Sequence, residues 1–352
     1  MAYALAYGYL NSMHPSANPQ GLHAALSSMR DRKVVVIGDP VLDVYIYGTT
    51  LRISREAPIP IVRRDDTENR LGGAANAAAN LAALGADTSL VGFLGSDRSA
   101  DDLIETAAAM NINTDGLIKL EGRHTVTKTR VLAGGLHTTK QQLLRLDQEN
   151  ETPPNGDSVD KLVEAAKEQM HGADTVIISD YGAFTDACVV VAQEARKLGK
   201  RVIVDSRYAL ARFSGMSAVT PNEPEAEAAL GLNLSAASEA VAAAEKILTD
   251  QELDAVLLTR GREGMAIAQI GQPTVLLDAH GAKDAVDVTG AGDTVIATFT
   301  LAQASGVGVI ESAILANCAA ALVVQEVGAA TVSLKDIELA LADFEPESLK
   351  TP

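Results

Sequence analysis

Apolar residues along this chain follow two rhythms. Short unbroken runs, "KVVVIGD" (33–39), "TSLVGFLG" (88–95), "DTVIISD" (174–180), "RVIVDS" (201–206) and "AVLLTRG" (255–261), are rich in β-branched residues and close on glycine, aspartate or serine. Such runs predict buried parallel strands that open onto ligand-side loops. Between them the pattern turns helical. "AANAAANLAAL" (74–84) is apolar nearly all round and stops at Gly85, and "VVVAQEARKLG" (189–199) stops at Gly199, each glycine predicting a helix end. "SADDLIETAAAM" (99–110) opens with a capping-box pattern, Ser99 with Asp102 three residues on. Strands alternating with helices predict right-handed crossovers and an α/β fold, a mostly parallel sheet covered on both faces.

Two segments break this alternation. Residues 43–64 and 124–149 mix β-formers with polar residues around turn glycines and hold no helix of comparable length. Antiparallel strands with one solvated face are the expectation, joined in a small sheet that serves as a lid or a dimer surface. No solenoid-period repeat or low-complexity linker is present.

Composition narrows the function. The chain has 352 residues, 47% hydrophobic and 21% charged, enough for one large α/β domain or two smaller ones. Aromatics make up 3%, tryptophan is absent, and the formal net charge is −17. A nucleic-acid partner would call for a basic stripe and stacking platforms, so none is expected. Cys188 and Cys318 stand far apart in apolar runs, which predicts buried small hydrophobes rather than a metal pair or a disulfide. No Lys or Arg precedes Arg30, so a basic leader is not expected, and residues 1–32 read as an extension ending in a short helix near "GLHAALSSM". No run is long enough for a membrane span. A cytoplasmic location is the expectation.

The chemistry concentrates at "DVTGAGDTV" (287–295), where two carboxylates flank Gly290, Ala291 and Gly292 ahead of the apolar run "IATFTLAQA". Gly290 and Gly292 permit a tight turn that exposes successive N–H groups, and the helix starting near Asp293 adds the positive end of its dipole. The result is an anion hole with a carboxylate beside it, suited to removing a proton from a hydroxyl while the amides hold developing phosphoryl charge. The plainer alternative makes Asp293 the N-cap of an apolar helix. Four further stretches carry candidates: "RLGGAANAAANLAALGA" with Gly72, Gly73 and Asn76; "AVTPNEPEAEAALG" with Asn222 and Glu225; "TRGREG" (259–264); and "ILANCAAALVV", where the amide of Asn317 demands a partner in an apolar run.

Together these motifs resemble the ribokinase-like (PfkB) family of carbohydrate kinases from about Lys33 onward; the paired glycines and DxTGAGD stand in the family's order and spacing. "GDPVLDVYIYGTTLRISREAPIPIV", "TKTRVLA", "QQLLRLD" and "ISDYG" are most similar to the D-glycero-β-D-manno-heptose-7-phosphate 1-kinases within it. The resemblance implies a three-layer αβα sandwich over 33–345, lid segments at about 44–64 and 124–147, and a tail at 346–352. It implies ATP and Mg²⁺, a K⁺ site, and a homodimer formed through the β lid. Asp293 would be the base and the amides from Gly290 through Ala291 and Gly292 to Asp293 would hold the γ-phosphoryl group. Asp39, Asp43, Gly72, Gly73 and Asn76 would line the sugar site. Asn222 and Glu225 would act near the phosphates, Glu225 organising Mg²⁺ through water. Thr259, Gly261, Gly264 and Asn317 would flank the nucleotide, and Arg207 would face its phosphates. Asp287 and Thr289, with the loop near Gly328, match the potassium region.

Lys128, Arg130, Lys140 and Arg145 are the candidate clamp for a phosphate already on the sugar, the alternative being a solvated edge strand kept soluble by basic residues. The chain departs from the heptose kinases at "SDYGAFTDA", where Ala183 and Phe184 replace an expected Lys-Gly, and at Ser206 and Arg207, where Pro-Lys is expected. Arginine supplies the charge of lysine but not its geometry. A kinase for another sugar, and a silent family member that binds nucleotide or sugar, are the alternatives.

Overall fold

The computed structural model describes residues 18–135, 138–150, 152–281, 285–345 and 348–350. In chain order the principal elements are α1 (Pro19–Ser28), β1 (Lys33–Gly38), β2 (Pro40–Ile53), β3 (Pro60–Gly73), α2 (Ala74–Ala83), β4 (Asp87–Gly95), α3 (Arg98–Ala109) and β5 (Asn113–Leu120). They continue with β6 (Val126–Gly134), β7 (Gln141–Gln148), α4 (Gly156–Gln169), β8 (Thr175–Asp180), α5 (Thr185–Lys197), β9 (Arg201–Ser206), β10 (Ala218–Val219) and α6 (Glu223–Leu230). The last are α7 (Ala237–Asp250), β11 (Ala255–Thr259), β12 (Met265–Gln269), β13 (Val275–Leu277), α8 (Ala291–Ala304), α9 (Val309–Val323), α10 (Leu334–Ala340) and β14 (Leu349–Lys350).

Ten strands form the main sheet in the order β14-β13-β12-β11-β10-β9-β8-β1-β4-β5. Pairing is parallel from β11 to β5 and antiparallel along β11, β12, β13 and β14. The five unbroken apolar runs are strands of this sheet, and the αβα layering follows from their two-sided burial. Val34 and Val36 of β1 enter one core with α1, α2, α8 and α9, while Val35 and Ile37 enter a second core with α4, α5 and α7. Alternate residues of a strand point to opposite faces, so an unbroken apolar run is what a doubly covered strand requires.

The expected small sheet exists, with the order β3-β2-β6-β7. It is mixed rather than antiparallel throughout: β2 pairs antiparallel with β3 and β6 with β7, but β2 and β6 run parallel. Its β3 arm extends through Gly73, so the paired glycines end a lid strand immediately before α2.

The helix expected at 99–110 starts earlier, at Arg98. Its N-cap is Asp97, whose Oδ1 accepts from Ala100 N at 3.0 Å, while Asp102 pairs with Arg98 at 2.8 Å. Asp97 also accepts from the amide and hydroxyl of Thr125, a tertiary tie that Ser99 lacks in the local pattern. Gly85 and Gly199 follow the ends of α2 and α5 with φ of 87° and 71°. Both cysteines are buried and free. Residues 1–17 of the expected extension lie outside the described residues; α1 packs on the main domain through Leu22 and Leu26. Within the expected tail, Leu349 and Lys350 pair with β13. No described helix is long and apolar enough to cross a membrane.

Candidate active site

Helix α8 begins at a left-handed turn. Gly290 is its N-cap with φ 80°, and a Cβ there would lie 2.6 Å from Asn76 Nδ2. The amides of Gly292 and Asp293 belong to the first turn, where no carbonyl of the helix itself can accept them. Space beyond Gly292 is open. Asp293 sits at the third position of the helix and is buried, and no side chain caps this end. The N-cap alternative is therefore excluded. The Asp293 carboxylate instead accepts from Asn76 Nδ2 at 2.8 Å and from the Tyr181 hydroxyl at 2.9 Å. Burial pushes its pKa up to about 6, against the pull of those two donors and of Lys128, with Asp43 adding to the rise. A carboxylate ionised near neutrality, dry and held at both oxygens, is equipped to accept a proton from a hydroxyl.

Two cavities lie near this carboxylate without including it in their linings, one reached through Ala291 and Gly292 of its own helix and the other through its donor Tyr181. One, of about 180 Å³, is lined by Ala291 and Gly292 together with Thr259, Gly261, Gly264 and Asn317. The four residues expected around the nucleotide thus meet on the side of the open helix N-terminus. Asn317 Nδ2 donates to the carbonyl of Asp278 at 2.8 Å, the partner its buried amide required. Asn222 bridges to Thr259 in parallel register at the rim. Asn222 and Glu225 form a reciprocal capping box on α6, each side chain accepting from the other's amide at 2.9 Å. Desolvation raises the Glu225 pKa, and it raises Asp205 well above the carboxylate range with the further push of Glu225, Asp293 and Asp180, opposed by Arg207.

The second cavity, of about 250 Å³, is lined by Asp39, Lys128, Tyr181, Arg207, Glu149 and Asn150, among others. Two cations and two acids thus face one space between the lid and the main sheet. Asp39 is buried, and its Oδ2 accepts from the amides of Tyr181 at 2.6 Å and Ala183 at 3.3 Å. Its Oδ1 is buried without a partner, an acceptor that a ligand hydroxyl would satisfy. Desolvation, and after it the charge of Asp180, push the Asp39 pKa up to about 7. Lys128 lies 5.8 Å from the centre of the Tyr181 ring.

Other expected sugar-site residues stand just behind this surface. Asp43 is buried and pairs with Arg130 at 2.5 Å, and Gly72 leaves room for that carboxylate, since a Cβ there would lie 2.6 Å from Asp43 Oδ2. Gly73, with φ 54°, is the N-cap of α2. Asn76 spends its amide on Asp293 and accepts from Asn80 through Oδ1. Of the four basic lid residues, Lys128 lines the cavity and Arg130 is engaged by Asp43. Lys140 stacks over Tyr47, and Arg145 pairs with Asp147 on an exposed strand. Arg207, expected to face the nucleotide phosphates, lines the second cavity and not the one that gathers the expected nucleotide residues.

Asp287 ties two loops together. One oxygen accepts from Thr289 N at 2.9 Å and Thr289 Oγ1 at 2.7 Å, the other from Gly328 N at 2.8 Å. Against desolvation, these bonds leave its pKa below the usual value. Arg70 of β3 donates to the carbonyl of Val327, so the lid also touches this loop. Sequence reasoning missed Tyr181, Asp205 and Asn80. Tyr181 lay inside the noted "SDYG", and Asn80 was visible as a second amide in an alanine-rich helix, but neither pattern names a partner.

A buried carboxylate able to accept a proton, beside a glycine-opened helix N-terminus on an αβα sandwich, is suited to phosphoryl transfer onto an alcohol. The pfkB family carbohydrate kinase model matches residues 31–336, and the chain belongs to that family. Among curated proteins it is 41% identical over 319 residues to the bifunctional protein HldE of Halorhodospira halophila, covering 90% of this chain and 65% of that protein. It is 36% identical over 315 residues to the HldE of Desulfatibacillum aliphaticivorans, covering 88% and 63%. The chain therefore spans slightly less than two thirds of the length of these relatives. Among solved structures, Escherichia coli phosphofructokinase-2 in complex with potassium superposes with a TM-score of 0.71 at 20% identity, covering 89% of this chain and 98% of that one. Arabidopsis thaliana ribokinase with ribose and ATP gives 0.68 at 22% identity, covering 90% and 100%.

Proposed function

We propose that this enzyme phosphorylates D-glycero-β-D-manno-heptose 7-phosphate at the expense of ATP, giving the 1,7-bisphosphate on the route to ADP-heptose. The observation that carries the kinase chemistry is Asp293, a carboxylate at a helix N-terminus that caps nothing and is held by Asn76 and Tyr181. The heptose assignment rests on the similarity to HldE proteins and on the motifs of the lid.

In this reading Asp293 takes the proton of the acceptor hydroxyl, and the amides from Gly290 to Asp293 receive the transferred group. Thr259, Gly261, Gly264 and Asn317 hold the nucleotide in the first cavity. Asp39 orients the sugar through its unpartnered oxygen, and Lys128 with Arg207 engages the phosphate already present. The residues fit Mg²⁺ held mainly by phosphates and water: burial raises the pKa of Asp205 and of Glu225, so both are carboxyls that a nearby cation would draw into the ionised form, and among the described residues no group of three or more potential ligands could hold a bare ion. When bound, Mg²⁺ neutralises charge on the transferred phosphates, and Glu225 would orient it through water. A potassium ion would lie against the loops that Asp287 joins, with Thr289 contributing. The lid is the proposed homodimer surface, supported by exposed Leu144 and Leu146 on β7. The working domain boundary runs from residue 33 to 345, with the lid as part of it.

One observation favours a second reading, a kinase for another sugar or sugar phosphate. Where heptose kinases carry Lys-Gly after "SDY", this chain has Ala183 and Phe184, and Phe184 is buried edge-on against Phe93 with ring centres 4.9 Å apart, so that corner is apolar. The test is ADP release from Mg·ATP across free sugars, sugar phosphates and heptose 7-phosphate, with the Asp293→Asn protein as blank and with K⁺ or Na⁺. Far higher kcat/KM on heptose 7-phosphate supports the narrow assignment, and preference for another sugar replaces it. Silence across the panel would point to a binding protein.

A further inference from the structure

We infer that Asn80, a residue that touches neither cavity, is a positioning residue for the base: it sets which end of the Asn76 amide faces Asp293. Asn80 lies one turn beyond Asn76 on α2 and is completely buried. Its Nδ2 donates to the Asn76 carbonyl at 3.0 Å and to Asn76 Oδ1 at 3.3 Å. Its Oδ1 accepts from the Thr294 hydroxyl at 2.9 Å, and Thr294 follows Asp293 on α8.

A carboxamide has one accepting and one donating end that are nearly identical in shape, so its orientation is decided by its partners. The Asn76 main-chain carbonyl can only accept, so it holds the Asn80 NH₂ toward α2 and leaves the Asn80 oxygen facing α8, where it accepts from the Thr294 hydroxyl, which also lies 3.2 Å from the Gly290 carbonyl. Held back along α2, the Asn80 NH₂ also meets Asn76 Oδ1. With its oxygen engaged there, Asn76 has only its NH₂ to offer Asp293. Reversal of Asn76 would place an amide oxygen against a carboxylate in a dry site and leave both without a proton between them. The four side chains thus form a closed relay between the two helices, Asp293 to Asn76 to Asn80 to Thr294. Charged and titratable groups reach Asp293 from other elements: Asp43 and Lys128 from the lid, Tyr181 from the loop after β8, and Asp205 from β9. None of these touches Asn80 through a hydrogen bond given by the relay, so its effect is separable from theirs.

The inference rests on Asp293 being the base, and its test has a readout independent of turnover. Protonation of Asp293 is followed by infrared difference titration, the carboxyl band being assigned by its loss in Asp293→Asn. Asn80→Asp removes the donor to Asn76 Oδ1 and offers an acceptor in its place, so Asn76 turns round. The Asp293 midpoint should then move up by roughly one pH unit or more, from the loss of a hydrogen bond to a charged group. Asn80→Leu, which removes the donor to Asn76 Oδ1 and adds no buried charge, should move it the same way by less. If Asn80→Asp fails to fold, Asn80→Leu decides. In steady-state assays the same variants should lower kcat at pH 6.5 while nucleotide KM stays within about twofold, with recovery at higher pH. A midpoint unmoved in the folded variants, with only thermal stability reduced, would overturn the positioning role and leave Asn80 as packing. A moved midpoint in a protein without kinase turnover would keep the relay and remove the kinase reading.

Discussion

Replacing Tyr181 with phenylalanine isolates one donor to the base. The substitution deletes the hydroxyl that donates to Asp293 Oδ1 at 2.9 Å but retains the ring facing Lys128 and the backbone amide that donates to Asp39. A hydrogen bond to a charged group is worth about 1.5–3 kcal/mol, and about 1.4 kcal/mol corresponds to one pKa unit, so Asp293 should rise by roughly one to two units. From about 6 it moves to roughly 7–8. The base works only when ionised. At pH 7 its ionised fraction falls from roughly nine tenths to between one half and one tenth, so kcat falls about two- to tenfold. At pH 9 both proteins are ionised and the difference closes. The assay is kcat against pH from 5 to 9 by coupled ADP release at saturating nucleotide. An acidic limb that stays in place, with kcat lowered equally at every pH, would refute the argument, because the tyrosine would then be acting through geometry alone.

Three further outcomes are expected. Asp293→Asn should lower turnover by on the order of 10²–10⁴ while calorimetry finds nucleotide affinity nearly unchanged, since only the proton acceptor is removed. Asp43→Ala should destabilise the protein by about 3–5 kcal/mol in denaturant unfolding, because Arg130, with 12% of its side chain exposed, loses a partner only 5% exposed; a loss below about 1 kcal/mol would mean that Arg130 finds water instead. Asp39 has a folded pKa raised from 3.8 to about 7. Between these values the folded protein holds a proton that the unfolded chain releases, so stability falls as pH rises through that window and levels off above about 7. Asp39→Asn cannot release it, so the variant should gain on the parent between pH 5 and pH 8, by about 2.5 kcal/mol. Equal differences in Tm at the two pH values would contradict that sign.

What the chain discloses locally and what it hides divide along physical lines. The αβα sheet was legible because a strand covered on both faces needs an unbroken apolar run, and such a run is a property of six or so consecutive residues. The glycine turn before α8 was legible for the same reason: φ 80° at Gly290 is a demand on one backbone position. Asp97 displaced Ser99 as a helix cap because its carboxylate also accepts from Thr125, 28 residues away. The parallel pairing of β2 with β6 joins segments that alternate correctly whether their neighbour runs parallel or antiparallel, so alternation alone could not give its direction. Arg130 looked available for a phosphate until the register set it beside Asp43.

The same division runs through the candidate base itself. Its place on the chain follows from GAGD, but its ability to take a proton near neutral pH does not. The two donors that oppose burial reach it from 217 and 112 residues away, Asn76 from the start of α2 and Tyr181 from the loop after β8. A motif specifies backbone, because backbone conformation is a local matter. The protonation of a buried carboxylate is set by whichever side chains the fold delivers to its two oxygens. A family member that kept GAGD and lost either donor would retain the anion hole but titrate its base at a higher pH. Acidic-limb position in the rate profile is therefore the property by which proteins sharing this motif should differ most.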